Sequence, residues 1–172
     1  MSRAADPDLD PVAFRSAMAS VCTPVTVVSA MEGSRPHGTT VSAVMSLSLD
    51  PPMMAVSLDS ESELLRIIRR SGTFGINFLA AEQHAVALAC AGRGHGKFDS
   101  IDWTLVDGLP RIAGISTWVA CTVTSFTQGG DHAIVMGLVN GVDQDSVRPL
   151  TYHRREFGTH AALAIVGDAD VR

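Results

Sequence analysis

Short runs of β-branched and other apolar residues, each closed by a turn sequence, recur along most of this chain. The predicted strands cover residues 25–30, 37–44, 53–58, 74–78, 117–124 and 132–139. Turn sequences such as Gln128-Gly129-Gly130-Asp131 separate neighbouring runs. These strands do not alternate regularly with helices, which disfavours a parallel doubly wound sheet. The pattern predicts instead a mainly β protein, an antiparallel barrel with a few peripheral helices.

Three short helices are predicted around these strands. Asp10 and Pro11 form a helix start, with Asp as the N-cap and Pro at the first helical position. Ser60 and Glu63 match the capping-box pattern, and the apolar residues that follow predict a second helix of about two turns. The alanine-rich stretch 81–91 predicts the third helix.

The length of 172 residues fits one domain with a substantial core. We expect this domain to span residues 11–160, with a flexible tail at 1–10 and a C-terminal extension at 161–172. Apolar residues make up 46% of the chain and charged residues only 18%, which argues against disorder. The low charge also suggests that a partner subunit covers part of the apolar surface.

Charge and hydropathy argue against nucleic-acid and membrane partners. The net charge is −5, and cation clusters such as the one at residues 66–70 are short, whereas phosphate backbones need many clustered cations. No apolar run reaches the roughly 20 residues that span a bilayer. Residues 1–10 are polar and acidic, without the apolar segment of a signal peptide. A soluble cytoplasmic protein is therefore expected.

The spacing of the residues disfavours three further kinds of site: a cysteine pair, a metal site and a phosphate-binding loop. Cys22, Cys90 and Cys121 are widely separated, so we expect reduced and mostly buried thiols. The six histidines show no metal-ligand spacing, and no metal is expected. The glycine-rich run before Phe98 is not a phosphate-binding P-loop, because Ala91 and Phe98 occupy positions that need Gly and Ser or Thr.

A dense pattern of small hydroxyl residues lies between Gly38 and Pro52. Ser or Thr occupies positions 39, 40, 42, 46 and 48, with apolar residues between them. Alternate side chains of a strand share a face, so one face would offer hydroxyls while the other packs inward. Such a surface suits a flat amphipathic ligand, whose ring needs apolar contacts and whose edge heteroatoms need neutral donors. Composition alone favours the other interpretation, an edge strand solvated by Ser and Thr.

The segment from Gly38 to Pro52 closely resembles the signature of the short-chain flavin reductase family. Other segments are similar to further blocks of that family and come in family order: 14–18, 25–28, 71–79, 97–98, 130–137 and 149–154. Together the blocks cover roughly residues 12 to 158. Three segments depart from the family pattern. Ala43-Val44-Met45 lies where a small or hydroxyl residue and an aromatic are more usual. Cys22-Thr23-Pro24 replaces a glycine-containing turn, and Arg155-Glu156-Phe157 replaces Gly-Arg-Tyr.

The resemblance implies both a fold and an activity. The implied fold is the split β-barrel that binds FMN, antiparallel and Greek-key-like, assembled as a homodimer. The implied activity is that of an NAD(P)H-dependent flavin reductase, which uses NADH or NADPH to reduce FMN or FAD and supplies reduced flavin to a partner monooxygenase. Such a protein needs little acid–base chemistry, because the cofactors carry the reaction and the protein stacks two rings. Two alternatives stay open, a non-catalytic flavin-binding electron carrier and a barrel that binds another ligand.

The resemblance also assigns residues to parts of the flavin site. Those implied along the ring and ribityl chain are Thr39, Thr40, Val41, Ser42, Ser46 and Ser48. Those implied near the phosphate are Ser57, Ser60 and Ser62, with Arg66 and Lys97 as candidate cations that are otherwise simply exposed. From the later blocks, the resemblance implies Phe98 at the site. It also implies a pocket rim, contributed by the second subunit, that consists of Tyr152, His153 and Arg154. An anion site at Ser60 has separate support, because the predicted helix begins there and helix N-termini bind anions.

His132 is the one catalytic candidate. In the family, the histidine of the Gly-Asp-His block, here residues 130–132, lies near the flavin, where the nicotinamide stacks. A histidine there would position the nicotinamide or influence protonation of the reduced ring near neutral pH. The alternative is a turn histidine that merely begins a strand.

Overall fold

The computed structural model describes residues 9–92, 94 and 96–163. Its helices are α1 (Pro11–Ala19), α2 (Glu63–Ser71) and α3 (His84–Ala91). Its strands are β1 (Thr23–Pro24), β2 (Thr26–Glu32), β3 (Arg35–Val41), β4 (Val44–Leu49), β5 (Pro52–Asp59), β6 (Thr73–Phe78), β7 (Trp103–Val106), β8 (Leu109–Ile112), β9 (Thr117–Gly129), β10 (His132–Gln144), β11 (Leu150–His153) and β12 (Glu156–Thr159). The predicted N-terminal tail and C-terminal extension lie largely outside the described residues.

Seven antiparallel strands form the main sheet, in the order β3-β2-β6-β9-β10-β5-β4. Its two edge strands, β3 and β4, follow each other in the chain and are joined only by Ser42 and Ala43. Since so short a link reaches roughly 10 Å at most, the two edges must lie beside each other. The Ser57 N–H donates to the Ala43 carbonyl at 2.9 Å and fixes the link against β5. The sheet therefore curls onto itself, and the predicted antiparallel barrel is confirmed.

The central strands of the main sheet are covered on both faces. On one face, the apolar side of α2 packs against residues such as Val28, Phe74 and Val135. On the opposite face, α3 and the β7–β8 hairpin cover Val27 and Trp118. The helices thus lie around the barrel, as the sequence predicts, and α2 and α3 hold the neighbouring strand β3 between them.

A buried polar cluster ties the β7–β8 hairpin to the main sheet. The Asn77 amide donates to the carbonyl of Val27 and to Ser29 Oγ, both at 3.1 Å. Its Oδ1 accepts the N–H of Ile112 at 2.8 Å, and Ser29 Oγ donates to the Pro110 carbonyl at 2.9 Å. Asn77 and Ser29 are fully buried, so these bonds satisfy groups that water cannot reach.

Two of the two-residue hairpin turns are Asp107-Gly108 between β7 and β8 and Arg154-Arg155 between β11 and β12. All four residues have positive φ, 50° and 76° in the first turn and 50° and 67° in the second. This is the type I′ pattern, for which Asp-Gly is a favoured pair and two arginines are not. The left-handed conformation costs a residue with a Cβ about 1–2 kcal/mol, so the arginine turn is strained.

Helix α2 begins later than the sequence predicts. Ser62, and not Ser60, is its N-cap. The Asp59 carboxylate accepts the N–H of Glu61 at 2.8 Å, and this Asx turn delays the helix start. Ser60 Oγ instead accepts a hydrogen bond from the Gln128 amide at 2.8 Å. The prediction of a helix start at Ser60 is therefore wrong.

Other boundaries also differ from the prediction. The strand predicted over 37–44 is interrupted after Val41 by the link to β4. The helix predicted over 81–91 begins only at His84, because the Gln83 side chain accepts the Ala80 N–H and holds a turn there. The strands predicted over 117–124 and 132–139 extend further, β9 to Gly129 and β10 to Gln144, and the added residues are mostly exposed.

Two apolar surfaces are left uncovered in the single chain. Helix α1 buries none of its residues, and Val12, Phe14 and Met18 are each at least half exposed. The edge strand β4 exposes Met45 and Leu49. Within the part of the chain that the structure describes, no helix is both long and apolar enough to cross a membrane.

The three thiols differ in exposure. Cys90 and Cys121 are buried as predicted, whereas Cys22 is exposed. Burial raises the pKa of Cys90 to about 11 and that of Cys121 to about 12, which makes their reactive thiolates scarce at neutral pH.

We expect only Cys22 to react quickly with Ellman's reagent in the native protein, because the other two thiols are both buried and protonated. Titration before and after unfolding in guanidinium should give one and then three thiols per chain. Rapid reaction of a second thiol in the native protein would show that this prediction is wrong.

Candidate functional site

A groove runs along the edge strand β3, past the end of β5 and the start of α2. It consists of two cavities of about 620 and 260 Å³ that share Thr39, Asp59 and Ser62, and we call it the main groove. Eight of the sequence-predicted site residues line it: Thr39, Thr40, Val41, Ser42, Ser57, Ser62, Lys97 and His132. The structure thus brings together residues from four distant parts of the chain.

The first turn of α2 opens into the main groove. Ser62 Oγ accepts the N–H of Leu65 at 3.3 Å. By helix geometry the N–H groups of Glu63 and Leu64 have no acceptor within the helix, and both residues line the groove. Backbone donors at a helix N-terminus bind anions, so this end of the groove suits a phosphate.

Lys97 places a cation in the same cavity. Its Nζ donates to the carbonyls of Gly38 at 3.1 Å and Cys90 at 3.0 Å. An ammonium has three N–H donors, so one donor is left for a groove ligand. Burial lowers the pKa of Lys97, since the half-buried ammonium has exchanged water for carbonyl partners.

The backbone of β3 supplies neutral hydrogen-bonding groups along the groove. Because Lys97 binds the Gly38 carbonyl, that carbonyl points away from β2, and the two-residue repeat of a strand turns the backbone of Thr40 the same way. The Thr40 hydroxyl itself donates to the Ala87 carbonyl at 2.6 Å and fixes β3 to α3. The Thr40 side chain is therefore a structural tether, and its backbone is the part available to a ligand.

Phe98 has a supporting position and does not line the main groove. Its side chain is 5% exposed, and its ring meets Trp103 edge to face with centroids 6.1 Å apart. A Cβ built on Gly38 would come within 3.0 Å of the Phe98 ring. Gly38 therefore lets β3 lie directly on this aromatic residue, and any larger side chain would push the strand outward.

His132 begins β10 and lies directly opposite Asp59 of β5. Its Nδ1 is 2.8 Å from a carboxylate oxygen of Asp131. Because a carboxylate only accepts, Nδ1 carries the proton in this bond, and Nε2 is left for a groove ligand. This hydrogen bond lowers the pKa of Asp131, so the carboxylate stays ionised beside the ring.

Several predicted site residues are placed elsewhere. Arg66 is exposed and forms ion pairs with both Glu32 and Glu63, which makes it a poor phosphate partner. Ser46 and Ser48 lie on the edge strand β4 and are not among the described residues that line the main groove.

Tyr152 and Arg154 lie near the β11–β12 turn, beside two other cavities. Tyr152 shares its cavity with Thr40, Val41 and Ser42, whereas Arg154 lines a cleft against α1.

Sequence reasoning missed a cluster of acidic residues at the groove. Asp59, Glu61 and Glu63 line its larger cavity together with His37. The available signal was the position of Asp59 and Glu61 on either side of Ser60, between a strand and a helix. Their charge restricts how much further anionic charge a ligand can bring to this end of the groove.

The donor set of the main groove fits a flavin nucleotide. The helix N-terminus, Ser62 and Lys97 suit a phosphate, and the β3 backbone and Ser57 suit the polar edge of a flat ring. Val41 and Leu58, which are largely buried, add apolar atoms to the lining of the smaller cavity.

Comparison with known proteins agrees with this geometry. A model of the flavin reductase like domain matches residues 18–161. An NADH-dependent flavin reductase from a Rhodococcus species is 34% identical over 155 residues, which cover 88% of each chain. The reductase component of 4-hydroxyphenylacetate 3-monooxygenase from Thermus thermophilus is 35% identical over 146 residues, covering 84% of this chain and 93% of the relative.

Solved structures show the same fold. The NADH:FAD oxidoreductase of Streptomyces globisporus C-1027, in complex with NAD and FAD fragments, superposes with a TM-score of 0.83 at 28% identity. The match covers 97% of this chain and 100% of that one. The predicted split-barrel architecture and the predicted resemblance are confirmed, and this chain belongs to the flavin reductase family, oxidoreductases that use a nicotinamide nucleotide to reduce flavin.

Proposed function

We propose that this protein oxidises NADH, reduces FMN or FAD bound in the main groove, and supplies the reduced flavin to a partner monooxygenase. The observation that carries the proposal is the main groove itself, where a helix N-terminus, a lysine, an exposed strand edge and a histidine converge. NADH is favoured as the donor because the Rhodococcus relative and the Streptomyces globisporus oxidoreductase are both named for it. The monooxygenase partner is supported by the Thermus relative, which is a reductase component. The unit proposed to carry this function is residues 11–160.

Within the groove, the phosphate is assigned to Ser62, Lys97 and the first turn of α2. The ring is assigned to the stretch from Thr39 to Ser42, with Ser57 at its polar edge. Bound flavin would supply the acceptor for the hydride of NADH. The residues of the chain hold the two rings in register and keep water from the contact, which is the main catalytic task in such a reaction.

His132 is assigned to the nicotinamide. Asp131 fixes the ring of His132 by a bond to Nδ1, and Nε2 is then free to accept a hydrogen bond from the carboxamide of NADH.

A homodimer is part of the proposal. The uncovered apolar residues of α1 and β4, among them Phe14, Met18 and Leu49, are suited to a subunit contact. Strand β4 continues directly from the link at Ser42 and Ala43, so a contact there would place the second subunit beside the ring end of the groove.

Anaerobic stopped-flow mixing tests the proposed function. The protein with FMN or FAD is mixed with NADH or NADPH, and the loss of oxidised-flavin absorbance is followed. Rapid bleaching with NADH is the expected result. Tight flavin binding without bleaching would support the electron carrier instead, and absence of flavin binding would overturn the assignment of the main groove.

Replacing Lys97 with methionine is expected to weaken FMN binding about tenfold, because one charge-assisted hydrogen bond to the phosphate is lost. Riboflavin, which has no phosphate, should bind both proteins about equally. In the wild-type protein FMN affinity should also decline at alkaline pH, because Lys97 loses its proton as the pH rises through its lowered pKa. The variant should lack this alkaline decline.

Arg66→Met is the matched control for Lys97→Met. Arg66 already pairs with Glu32 and Glu63, so its loss should change FMN affinity by less than about twofold. Fluorescence titration of both flavins measures all four affinities. A larger loss in the Arg66 variant than in the Lys97 variant would assign the phosphate to Arg66.

A further inference from the structure

A second pocket lies on the other side of residues 40–42 from the main groove. It has a volume of about 330 Å³ and is lined chiefly by apolar and aromatic side chains, including Leu88, Tyr152 and Phe157, with one cation, Arg155. We call it the aromatic pocket. Because the stretch 40–42 lines both spaces, a ligand in the aromatic pocket would lie close to a ligand in the main groove.

The aromatic walls of this pocket are set by strand register. Tyr152 of β11 lies directly opposite Phe157 of β12, and their ring centroids are 5.2 Å apart. The His84 ring lies 6.3 Å from Phe157 and supports it from α3. Each of the two pocket aromatics is 37% exposed, so part of each ring surface is available for contact with a flat ligand.

Arg155 enters the pocket from a strained turn. Its φ is 67°, a value that glycine adopts readily and arginine does not, and glycine is what the family pattern has at this position. A strained backbone that persists next to a cavity is a typical feature of a binding site. The strain therefore points to a use for the guanidinium.

Among the described residues, no carboxylate neutralises the charge of Arg155. Arg154 and Arg155 together line the cleft against α1, which adjoins the aromatic pocket at Arg155. Across residues 9–92, 94 and 96–163, no carboxylate forms an ion pair with either guanidinium, whereas Arg66, Arg70 and Arg111 are all paired. Two free guanidinium groups beside an aromatic pocket are suited to an anion attached to a flat ring.

The geometry points to an adenylate subsite, with the adenine against Tyr152 and Phe157 and the phosphate on Arg155 and Arg154. The inference rests on the proposed function, because both FAD and NADH carry an adenylate group and both must bring their reactive ring to the stretch 40–42. The aromatic pocket supplies the apolar contacts of the base. The arginine turn supplies the cations that the acidic end of the main groove lacks for a second phosphate.

Direct binding of AMP tests the subsite without any flavin reduction. Arg155→Gly removes the guanidinium and leaves a residue that favours the observed φ, so the variant should fold at least as well as the wild type. AMP affinity, measured by calorimetry, is expected to fall about tenfold, and adenosine affinity by less than about twofold. Arg155→Lys should lose less AMP affinity than Arg155→Gly. Equal losses in both variants, or unchanged AMP affinity in Arg155→Gly, would overturn the assignment.

Two further variants distinguish the effect of the contact with adenine from the effect of positive charge. Tyr152→Ala is expected to weaken AMP and adenosine to the same extent, because the contact with the base is lost for both. Arg148→Ala removes one positive charge outside both pockets and should leave AMP affinity unchanged. If Arg148→Ala weakened AMP as much as Arg155→Gly does, the effect would be one of overall charge and the subsite would be refuted.

Measurements with FAD, FMN and NADH show whether the subsite binds the adenylate of FAD or that of NADH. Weaker FAD binding in Arg155→Gly, with FMN unaffected and the KM for NADH unchanged, assigns the subsite to FAD. A raised KM for NADH with both flavin affinities unchanged assigns it to the hydride donor. If Arg155→Gly changes neither the FAD affinity nor the KM for NADH, the inference is overturned, even if the wild type reduces flavin. A wild type that binds AMP through Arg155 but reduces no flavin would refute the proposed function and leave the subsite standing.

Discussion

Replacing Asn77 with alanine is expected to lower the free energy of unfolding by about 3–5 kcal/mol. The Asn77 amide is fully buried and binds groups of β2 and β8 at once. Its removal leaves the N–H of Ile112 and the carbonyl of Val27 without this partner, in a region that water does not reach. Each buried group left unsatisfied costs roughly 1–3 kcal/mol, and a small cavity adds to the loss.

Urea denaturation followed by circular dichroism measures this effect. Asn140→Ala is the matched control, because Asn140 is exposed and its Oδ1 accepts from the Thr122 hydroxyl at 2.7 Å. This control should cost less than about 1 kcal/mol. A loss of similar size in the two variants would show that the β7–β8 hairpin is not held by the Asn77 cluster.

Replacing His132 with alanine is expected to slow flavin reduction by NADH about a hundredfold while flavin affinity changes less than about twofold. The expected difference between the two effects follows from the position of His132 in the main groove. His132 lines the groove next to Asp59 and Ser57, at the opposite end from Lys97, so its loss affects the placement of the nicotinamide more than the hold on the flavin phosphate.

Anaerobic single-turnover kinetics separate the two effects, since the rate at saturating NADH and the flavin dissociation constant are measured independently. Asp131→Asn should give an intermediate rate, because the ring of His132 keeps a neighbour but loses the ionised partner on Nδ1. His160→Ala, a change at an exposed histidine near the end of the described chain, should leave both quantities unchanged. Unaltered reduction kinetics in His132→Ala would remove this residue from the mechanism.

The strands of the core could be predicted from the sequence because each is specified by its own residues. β-Branched runs such as 25–30 and the alternation of Phe74 and Ile76 set both the strand and its faces locally. The short hairpin β7–β8 has too few residues to show a period, and β1 contains only Thr23 and Pro24. Such elements are fixed by their partners across the sheet, which a local pattern does not contain.

The part of the candidate site that one continuous segment forms could be predicted from the sequence. The parts that depend on which side chains pair with each other in the fold could not. The stretch from Thr39 to Ser42 forms one wall of the groove, as its hydroxyl pattern indicated. The ion pair of Arg66 with Glu32 could not be predicted, because Glu32 lies 34 positions away on another strand. Ser60 was misjudged because an aspartate side chain one residue earlier forms a turn that competes with the helix start.

The barrel has a seam between β3 and β4, which the two-residue link joins in the chain without a ladder of hydrogen bonds between them. Everywhere else in the main sheet each strand is hydrogen-bonded to its neighbours, but β3 and β4 are the two ends of the strand order and share no ladder. The main groove opens at this seam, so a nucleotide bound there as proposed would use hydrogen-bonding groups that β3 leaves without a strand partner. Ligand binding would then lock the barrel, and amide exchange at residues 40–44 should slow more than exchange anywhere else in the sheet.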